Sequence, residues 1–405
     1  MDKVNISQLR GIDERRVSRL LSEFGGPELA GVRFFSAPGR VEIGGNHTDH
    51  QHGRVLAAAV DYCMLAAAVP NGTDTIRINS LGFGSFETDI NTITPSDEVN
   101  GTSKAFVMGV ADYFAKKGFT VSGFDAVLDS DVPAGGSMSS SACFGVLIGA
   151  VLNGLFNGGE IGYQDLAMAA RYAENEYFGK PCGLMDQMAS ACGGFVFIDF
   201  KDESAPAVEK VDFDFEGSGY TMCILNSKGS HAELTDQYAS IPAEMYTVAR
   251  SLGRDYLREV DPEDFYASIG RIRGSVSDRA IMRAMHFFED DVRAEMERDA
   301  LKASDIDLFL SLINESGRSS QMSLENVSPE DPSNRSLSLS IALARHLLGG
   351  KGACRVQGGG FAGTAEAFIP DSIVDDFTAG FEAVFGTDSV LKAGIRRYGA
   401  VEVEV

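Results

Sequence analysis

The sequence predicts a two-domain α/β or α+β enzyme with its active site in a cleft between the halves. Three observations lead there. The chain has 405 residues, enough for two to three domains at roughly 150 residues each. Its 44% hydrophobic and 23% charged residues are ordinary for a folded chain and wrong for a disordered one. Strand-like and helix-like segments also occur on both sides of an acid-rich polar stretch at 201–219, which reads as the domain junction.

Taken in order, residues 5–30 read as an amphipathic lead-in. Leu9, Ile12, Val17, Leu20, Leu21 and Phe24 recur near helical spacing, and Gly25-Gly26 ends the run. Between 32 and 89 the pattern changes to strands at Arg33–Ser36, Val55–Val69 and Thr75–Ile78, separated by Gly, Asn, Pro and Asp turns. A helix is predicted over 102–117 and a strand around Phe124–Leu128. A Gly/Ser-rich turn at 133–141 then feeds an apolar helix from Ser140 to Phe156, and a second helix covers 160–178. Beyond the junction, Thr221–Asn226 reads as a strand and 231–316 as mostly helix. The interval 318–335 reads as a loop, 336–348 as a helix, and Arg355 to Pro370 as strand, glycine turn, strand. No repeat or low-complexity tract interrupts this.

Charge narrows the partners. With 35 basic and 58 acidic residues the formal charge is −23, a field that repels nucleic-acid backbones and anionic lipid. Neither nucleic acid nor membrane is therefore expected as a partner, and an anionic ligand needs local positive groups. The six cysteines are scattered without a C-x-x-C pair, which reads as reduced thiols. The first residues lack the apolar core of a signal peptide, and no stretch is apolar enough to span a bilayer. These features together predict a cytoplasmic protein. They do not set its oligomeric state.

Three strings and one aspartate carry the chemistry. The first runs from Ala37 to Gly53 and places His47, Asp49, His50 and His52 close together. A transition-metal site, and with it a metal-dependent hydrolase, is one reading. The spacing is poor for it, because no H-E-x-x-H pattern puts two histidines on one helical face. The second, Pro133-Ala-Gly-Gly-Ser-Met-Ser-Ser-Ser-Ala142, puts small residues and a helix N-terminus where a phosphate can be cradled. A serine N-cap explains one of these serines, not three in succession. No G-x-x-x-x-G-K-[ST] motif is present, which argues against a P-loop NTPase. The third, Gln357-Gly-Gly-Gly-Phe-Ala-Gly-Thr364, formally satisfies G-x-G-x-x-G. A strand-like segment follows it where a dinucleotide site would have a helix. Asp186, in Gly183-Leu-Met-Asp-Gln-Met-Ala-Ser190, reads as a helix cap or as a functional carboxylate.

In order and spacing these strings resemble the GHMP small-molecule kinases, and among them the galactokinases. Residues 39–50 resemble the signature G-R-V-N-L-I-G-E-H-T-D-Y, and 133–142 resemble the phosphate loop P-x-G-G-G-L-S-S-S-A. Residues 181–187 look like the family's catalytic segment, 358–364 like its G-G-G-F-G-G turn, and Asn226 through His231 to Tyr238 like its N-S-x-x-x-H…Y stretch. The resemblance implies a domain at 1–205 holding the first two motifs and Asp186, and a ferredoxin-like domain at 206–405. It implies MgATP-dependent phosphorylation of the anomeric hydroxyl of galactose, with a sugar and a nucleotide as the bound small molecules. Asp186 would face that hydroxyl with Arg40 beside it. Gly135, Gly136, Ser137, Met138, Ser139, Ser140 and Ser141 would wrap the ATP phosphates, and Ser141 and Glu174 would hold Mg²⁺. Asn46, His47, Thr48, Asp49, Gly183 and Tyr238 would line the sugar pocket.

The departures from the pattern bear mostly on the sugar. Glu42-Ile43 stands for the signature's Asn-Leu, Asn46 for its Glu and His50 for its Tyr. Ser137-Met138 replaces the loop's Gly-Leu, Ala362 a glycine of the last motif, and Gly317 a His. Asp49-His50-Gln51 looks more like the triplet of plant galacturonate kinases. Galacturonate, or another galacto-configured sugar, is thus the alternative substrate, with an uncharged Asn46 expected to tolerate a sugar carboxylate. A non-catalytic sugar sensor on the same fold is more remote, given Arg40, Asp186, Glu174 and the serine loop.

Overall fold

The computed structural model describes residues 1–26, 31–96, 99–133, 138–229 and 234–405. In chain order its strands are β1 (Lys3–Asn5), β2 (Arg33–Gly44), β3 (Arg54–Pro70), β4 (Thr75–Ser80), β5 (Gly84–Asp89), β6 (Phe124–Ser130), β7 (Phe195–Asp199), β8 (Ala207–Val211), β9 (Tyr220–Asn226), β10 (Ala353–Val356), β11 (Thr364–Pro370), β12 (Val390–Lys392) and β13 (Val401–Glu404). The first sheet runs β1-β13-β2-β3-β6-β4-β5, and β7 and β8 extend it from the other end of β3. Seventeen residues long, β3 can pair with β6 through Met64–Pro70 and with β7 through Arg54–Ala58.

Helices Ser103–Lys116, Ser140–Phe156, Tyr163–Tyr172 and Met185–Cys192 share one core with this sheet. Ser140–Phe156 carries no charged residue and is buried from Ala142 to Gly154, as a helix apolar all round must be. The second sheet is fully antiparallel in the order β10-β11-β9-β12. With helices between β9 and β10, and Val374–Phe385 between β11 and β12, this is the split βαβ arrangement of a ferredoxin-like unit. Helix Asp278–Lys302 joins the halves: Ala280 to Phe288 belong to a helical core in the second half, and Ala294 to Leu301 to the core of the first sheet.

Several segments differ from the sequence reading. The lead-in is a 3₁₀ turn, Ile6–Gln8, and a helix, Glu14–Phe24, capped by Asp13. The supposed junction contains β8, paired with β7 in the first sheet, and β13 returns to that sheet from the end of the chain. The stretch from 318, expected to be a loop, begins as the end of helix Ile306–Ser319 and a π-helical turn Ser320–Leu324. Its serines look loop-like in sequence, but they pair inside the protein, Ser319 with His286 and Ser320 with Asn46. Most consequential is β2, predicted only to Ser36. It continues to Gly44 and carries Arg40 and Glu42 into the centre of the molecule.

Candidate active site

Two register irregularities in the β2–β3 pairing, at Pro38/Arg40 and Glu42/Gly44, bracket the residues that matter. Bulges of this kind re-aim side chains beside active sites. Arg40 reaches Asp186 with both arms of its guanidinium, Nε to Oδ1 and Nη2 to Oδ2, each at 2.7 Å. Asp186 sits in the first turn of helix Met185–Cys192, where the helix dipole favours negative charge. That helix is tied to β2 by Ser190, whose hydroxyl donates to the Pro38 carbonyl at 2.6 Å. Ser139 Oγ donates to Asp186 Oδ2. Burial alone would raise the carboxyl's pKa, but the Arg40 charge and the Arg40 and Ser139 hydrogen bonds outweigh it and hold Asp186 below its ordinary value.

Beside this pair starts the long apolar helix. Gly135, Gly136 and Ser137, expected at the phosphates, lie outside the described residues, as does His231. Met138 is buried. Ser139 takes a left-handed backbone, φ 51°, and turns the chain into the helix that begins at Ser140. Ser141 Oγ donates to Glu174 Oε1 at 3.0 Å. Glu174 lies in a π-helical turn, Ala173–Phe178, a local widening frequent at functional sites. Gln187 holds its other oxygen at 2.8 Å, and Lys180 approaches Oε1 at 3.4 Å.

A cleft of about 580 Å³ opens over Asp186. Arg40, Glu42, His47, Asp49, His50, Gly183, Gly358 and Gly359 line it, and Arg171, Glu203, Tyr246 and Tyr256 stand at the far side. Of the residues expected around the sugar, His47, Asp49 and Gly183 are therefore at the cleft. A Cβ on Gly183 would come 2.5 Å from Asp49 Oδ2, so glycine there is what leaves Asp49 its place. Burial pushes the Asp49 carboxyl up to about 6, with the Asp186 charge adding to it, and drives the His47 imidazole down to about 4.

Three other expected sugar contacts hydrogen-bond within the protein. Thr48 spends its hydroxyl on the Gly45 and Arg54 carbonyls, closing its own turn. Tyr238 lies behind the glycine turn, its hydroxyl donating to Gly360 O at 2.9 Å and its ring edge-on to Phe361. Asn46 is fully buried. Its Nδ2 donates to Glu42 Oε1 at 2.7 Å and to Gly358 O at 2.8 Å, and its Oδ1 accepts from Asn326 and Ser320. The Asn46 backbone N–H donates to Asp290, and its carbonyl accepts from His286 Nε2. It fastens the histidine loop to the second half.

The histidines do not assemble a metal site. His47 and His50 face each other at 3.3 Å, while His52 stacks on Tyr256 with ring centroids 3.6 Å apart. Among the described residues, no group of three or more His, Cys, Asp or Glu side chains is placed to hold a metal ion.

The galactokinase galactose-binding signature matches residues 20–70, and the GHMP kinases N terminal domain matches 105–194. A galactokinase of Streptomyces coelicolor is 30% identical over 395 residues, spanning 94% of this chain and 97% of that one. The chain belongs to the galactokinase family. A second galactokinase, from Glaesserella parasuis, is 31% identical over 346 residues, covering 84% of this chain and 85% of that one. The fold is that of a Lactococcus lactis galactokinase solved in complex with galactose, with a TM-score of 0.79 at 23% identity over 96% of this chain and 99% of that one. The Methanococcus jannaschii mevalonate kinase shares it at a TM-score of 0.64 and 15% identity, over 90% and 99%.

Membership of the galactokinase family makes the chain a sugar kinase that uses ATP. Among the described residues, no helix is long and apolar enough to cross a membrane. The family's motifs did not point to Arg171, Glu203, Tyr246 or Tyr256, which come to the cleft from outside them. Nor did they point to Arg355, wholly buried and bonded to Glu42 Oε1 at 2.7 Å. The available signal was the acid at 42 itself, since a buried charge requires a partner.

Proposed function

We propose that the protein transfers the γ-phosphoryl group of ATP to the anomeric hydroxyl of galactose, giving galactose 1-phosphate and ADP. The observation that carries this is the bidentate Arg40–Asp186 pair on the cleft, next to the serine-led helix start. Phosphoryl transfer depends more on in-line positioning and charge neutralisation than on covalent help from the protein. Asp186, held ionised, accepts the hydrogen of the sugar hydroxyl and aims its oxygen at the phosphorus. As the new O–P bond forms and the bond to ADP breaks, the proton passes to Asp186 or onward to water. A carboxylate with a lowered pKa is a weak base, so orientation and polarisation are its main contribution. Arg40 neutralises charge on the transferring group.

Serines 139–141 and the helix N-terminus are the described part of the phosphate cradle. Ser141 and Glu174 fit Mg²⁺: a hydroxyl and a carboxylate 3.0 Å apart form a sparse hard-oxygen site of the kind that ion occupies alongside phosphate oxygens and water. The ion would supply charge neutralisation at the phosphates. We divide the chain at 205/206, with β8 and β13 contributed back to the first sheet.

The cleft favours a neutral sugar. Its described lining sets Glu42, Asp49, Asp186 and Glu203 against Arg40 and Arg171, and a uronate would enter against that excess of carboxylates. ADP release measured with galactose, galacturonate, N-acetylgalactosamine, arabinose, glucose and talose tests the substrate. Phosphorus NMR of the product tests the position. Galactose should lead and give an anomeric phosphate; galacturonate in first place, or phosphate on another hydroxyl, would overturn the reading.

A further inference from the structure

We propose that Glu42 is the carboxylate that selects the sugar, accepting a hydrogen bond from one of its hydroxyls; this rests on the galactose reading above. Aligned on Gly39-Arg40-Val41, the galactokinase signature has Asn at position 42 and Glu at 46, whereas this chain has Glu42 and Asn46. The two residue types are exchanged, and neither is lost. The structure supplies the reason such an exchange is tolerated: the two side chains touch, Asn46 Nδ2 donating to Glu42 Oε1 at 2.7 Å. One amide and one acid therefore occupy one hydrogen-bonded pair whichever residue carries which.

Asn46 has no capacity left for a ligand. It is fully buried, its amide donates to Glu42 and Gly358, and its oxygen accepts from Asn326 and Ser320. Glu42 is in the opposite situation. Its side chain is only 6% exposed, yet it lines the cleft with Arg40, Asp49 and Asp186. Oε1 takes both fixed donors, Asn46 and Arg355, while Oε2 makes no hydrogen bond among the described residues. Burial pushes the Glu42 carboxyl up to about 7; above that pH, ionised, it only accepts, and Oε2 has lone pairs to fill. A buried acceptor backed by a guanidinium and open to a cleft is matched by a neutral hydroxyl donor. A second carboxylate, or a carbon lacking its hydroxyl, would leave it unsatisfied.

The test is kcat/KM for galactose and its 2-, 3-, 4- and 6-deoxy analogues with four proteins: the unaltered chain, Glu42→Gln, Asn46→Glu, and the exchange variant Glu42→Asn/Asn46→Glu. The unaltered enzyme should disfavour at least one analogue by about 10- to 100-fold, the range for a hydrogen bond to a charged group. Glu42→Gln is nearly isosteric and should reduce that one preference several-fold, leaving the others in place. Asn46→Glu, with two acids in one buried pair, should lose galactose turnover. The exchange variant restores one acid and one amide beside Arg355 but puts the acid at position 46, away from the cleft; it should fold and still lose the analogue preference, whereas a purely structural role for Glu42 beneath Arg355 predicts an unchanged preference. Thermal melting establishes that each variant is folded, and if Glu42→Gln is not, the exchange variant decides. Unchanged analogue preferences in folded Glu42→Gln, or in the folded exchange variant, would overturn the proposal while the galactose reading stood. Failure of the unaltered chain to phosphorylate galactose would overturn that reading and this contact with it.

Discussion

The side of the cleft proposed for phosphoryl transfer and the side proposed for the sugar are built differently. Arg40, Asp186, Ser141 and Glu174 all come from one half and stand on two helix starts, a π-helical turn and a central strand that share a core. The histidine loop is instead held from across the molecule, through Asn46 to Asp290, His286, Asn326 and Gly358, and through Gln51 to Leu257. Residues on the first side can be placed by local rules. On the second, a side chain's role depends on which partner reaches it, and three of the six expected sugar contacts, Asn46, Thr48 and Tyr238, hydrogen-bond within the protein.

Four experiments sharpen or break that contrast. The largest effect should come from the transfer side: Asp186→Asn should lower kcat by ~10²-fold or more, the scale of a lost acid–base or orienting group, while the fold persists. Arg40→Met should reduce kcat more than it raises KM for ATP. Near-normal turnover by either variant would remove the pair from the mechanism. Next, Ser141→Ala and Glu174→Gln should each raise the Mg²⁺ needed for half-maximal rate, by about 10-fold if one ligand is worth ~1.4 kcal/mol. Titrations superimposable on the unaltered enzyme would put the ion elsewhere.

On the sugar side, the first loss should be in stability. Asn46→Ala leaves several buried partners unpaired, at about 1–3 kcal/mol for each group stranded, so the melting temperature should fall by several degrees. If it stays put and only KM for the sugar rises, Asn46 is a ligand contact and not a fastening.

The smallest effect is a pH trend. Burial raises Glu42 to about 7, and Glu297 and Glu366 well above their ordinary value, in each case against the pull of Arg355. Between the unfolded and folded pKa of such a group, the folded state holds the extra proton, so its contribution to stability is lost as pH rises. The histidines His47 and His50 at the cleft and the buried His286, all lowered by desolvation, act in the opposite sense, costing stability as pH falls below about 6.5. Melting temperature should therefore decline from pH 6.5 to 8, and Glu42→Gln should flatten the decline. A flat or rising profile over that interval in the unaltered chain would show that these carboxyls are ionised throughout.

Much of this was legible in the residues. The helix Ser140–Phe156 follows from an uninterrupted apolar run after three serines, and the strand after Gln357–Gly363 from alternation without a helix signal. The resemblance to the galactokinases implied that Arg40 and Asp186, and Ser141 and Glu174, would meet, and the structure pairs them. Less was legible where long-range pairing decides. The extension of β2 through Gly44 was hidden because Gly, Arg, Glu and Gly do not look like a central strand until β3 and its bulges accept them. The polar strand β8 looked like a linker because its strand state comes from β7.

The sequence by itself determined the alternation of strands and helices in two halves and the apolar helix after the serine loop, because apolar periodicity and short motifs act over a few residues. Only the tertiary structure decided which of Glu42 and Asn46 faces the cleft and which is buried under the second half. Nothing local distinguishes them: both are short polar side chains in one motif. Arg355 and Gly358, more than 300 positions away, settle their orientation. A buried charge must be paired and a buried amide must be satisfied, and those partners exist only once the halves have closed.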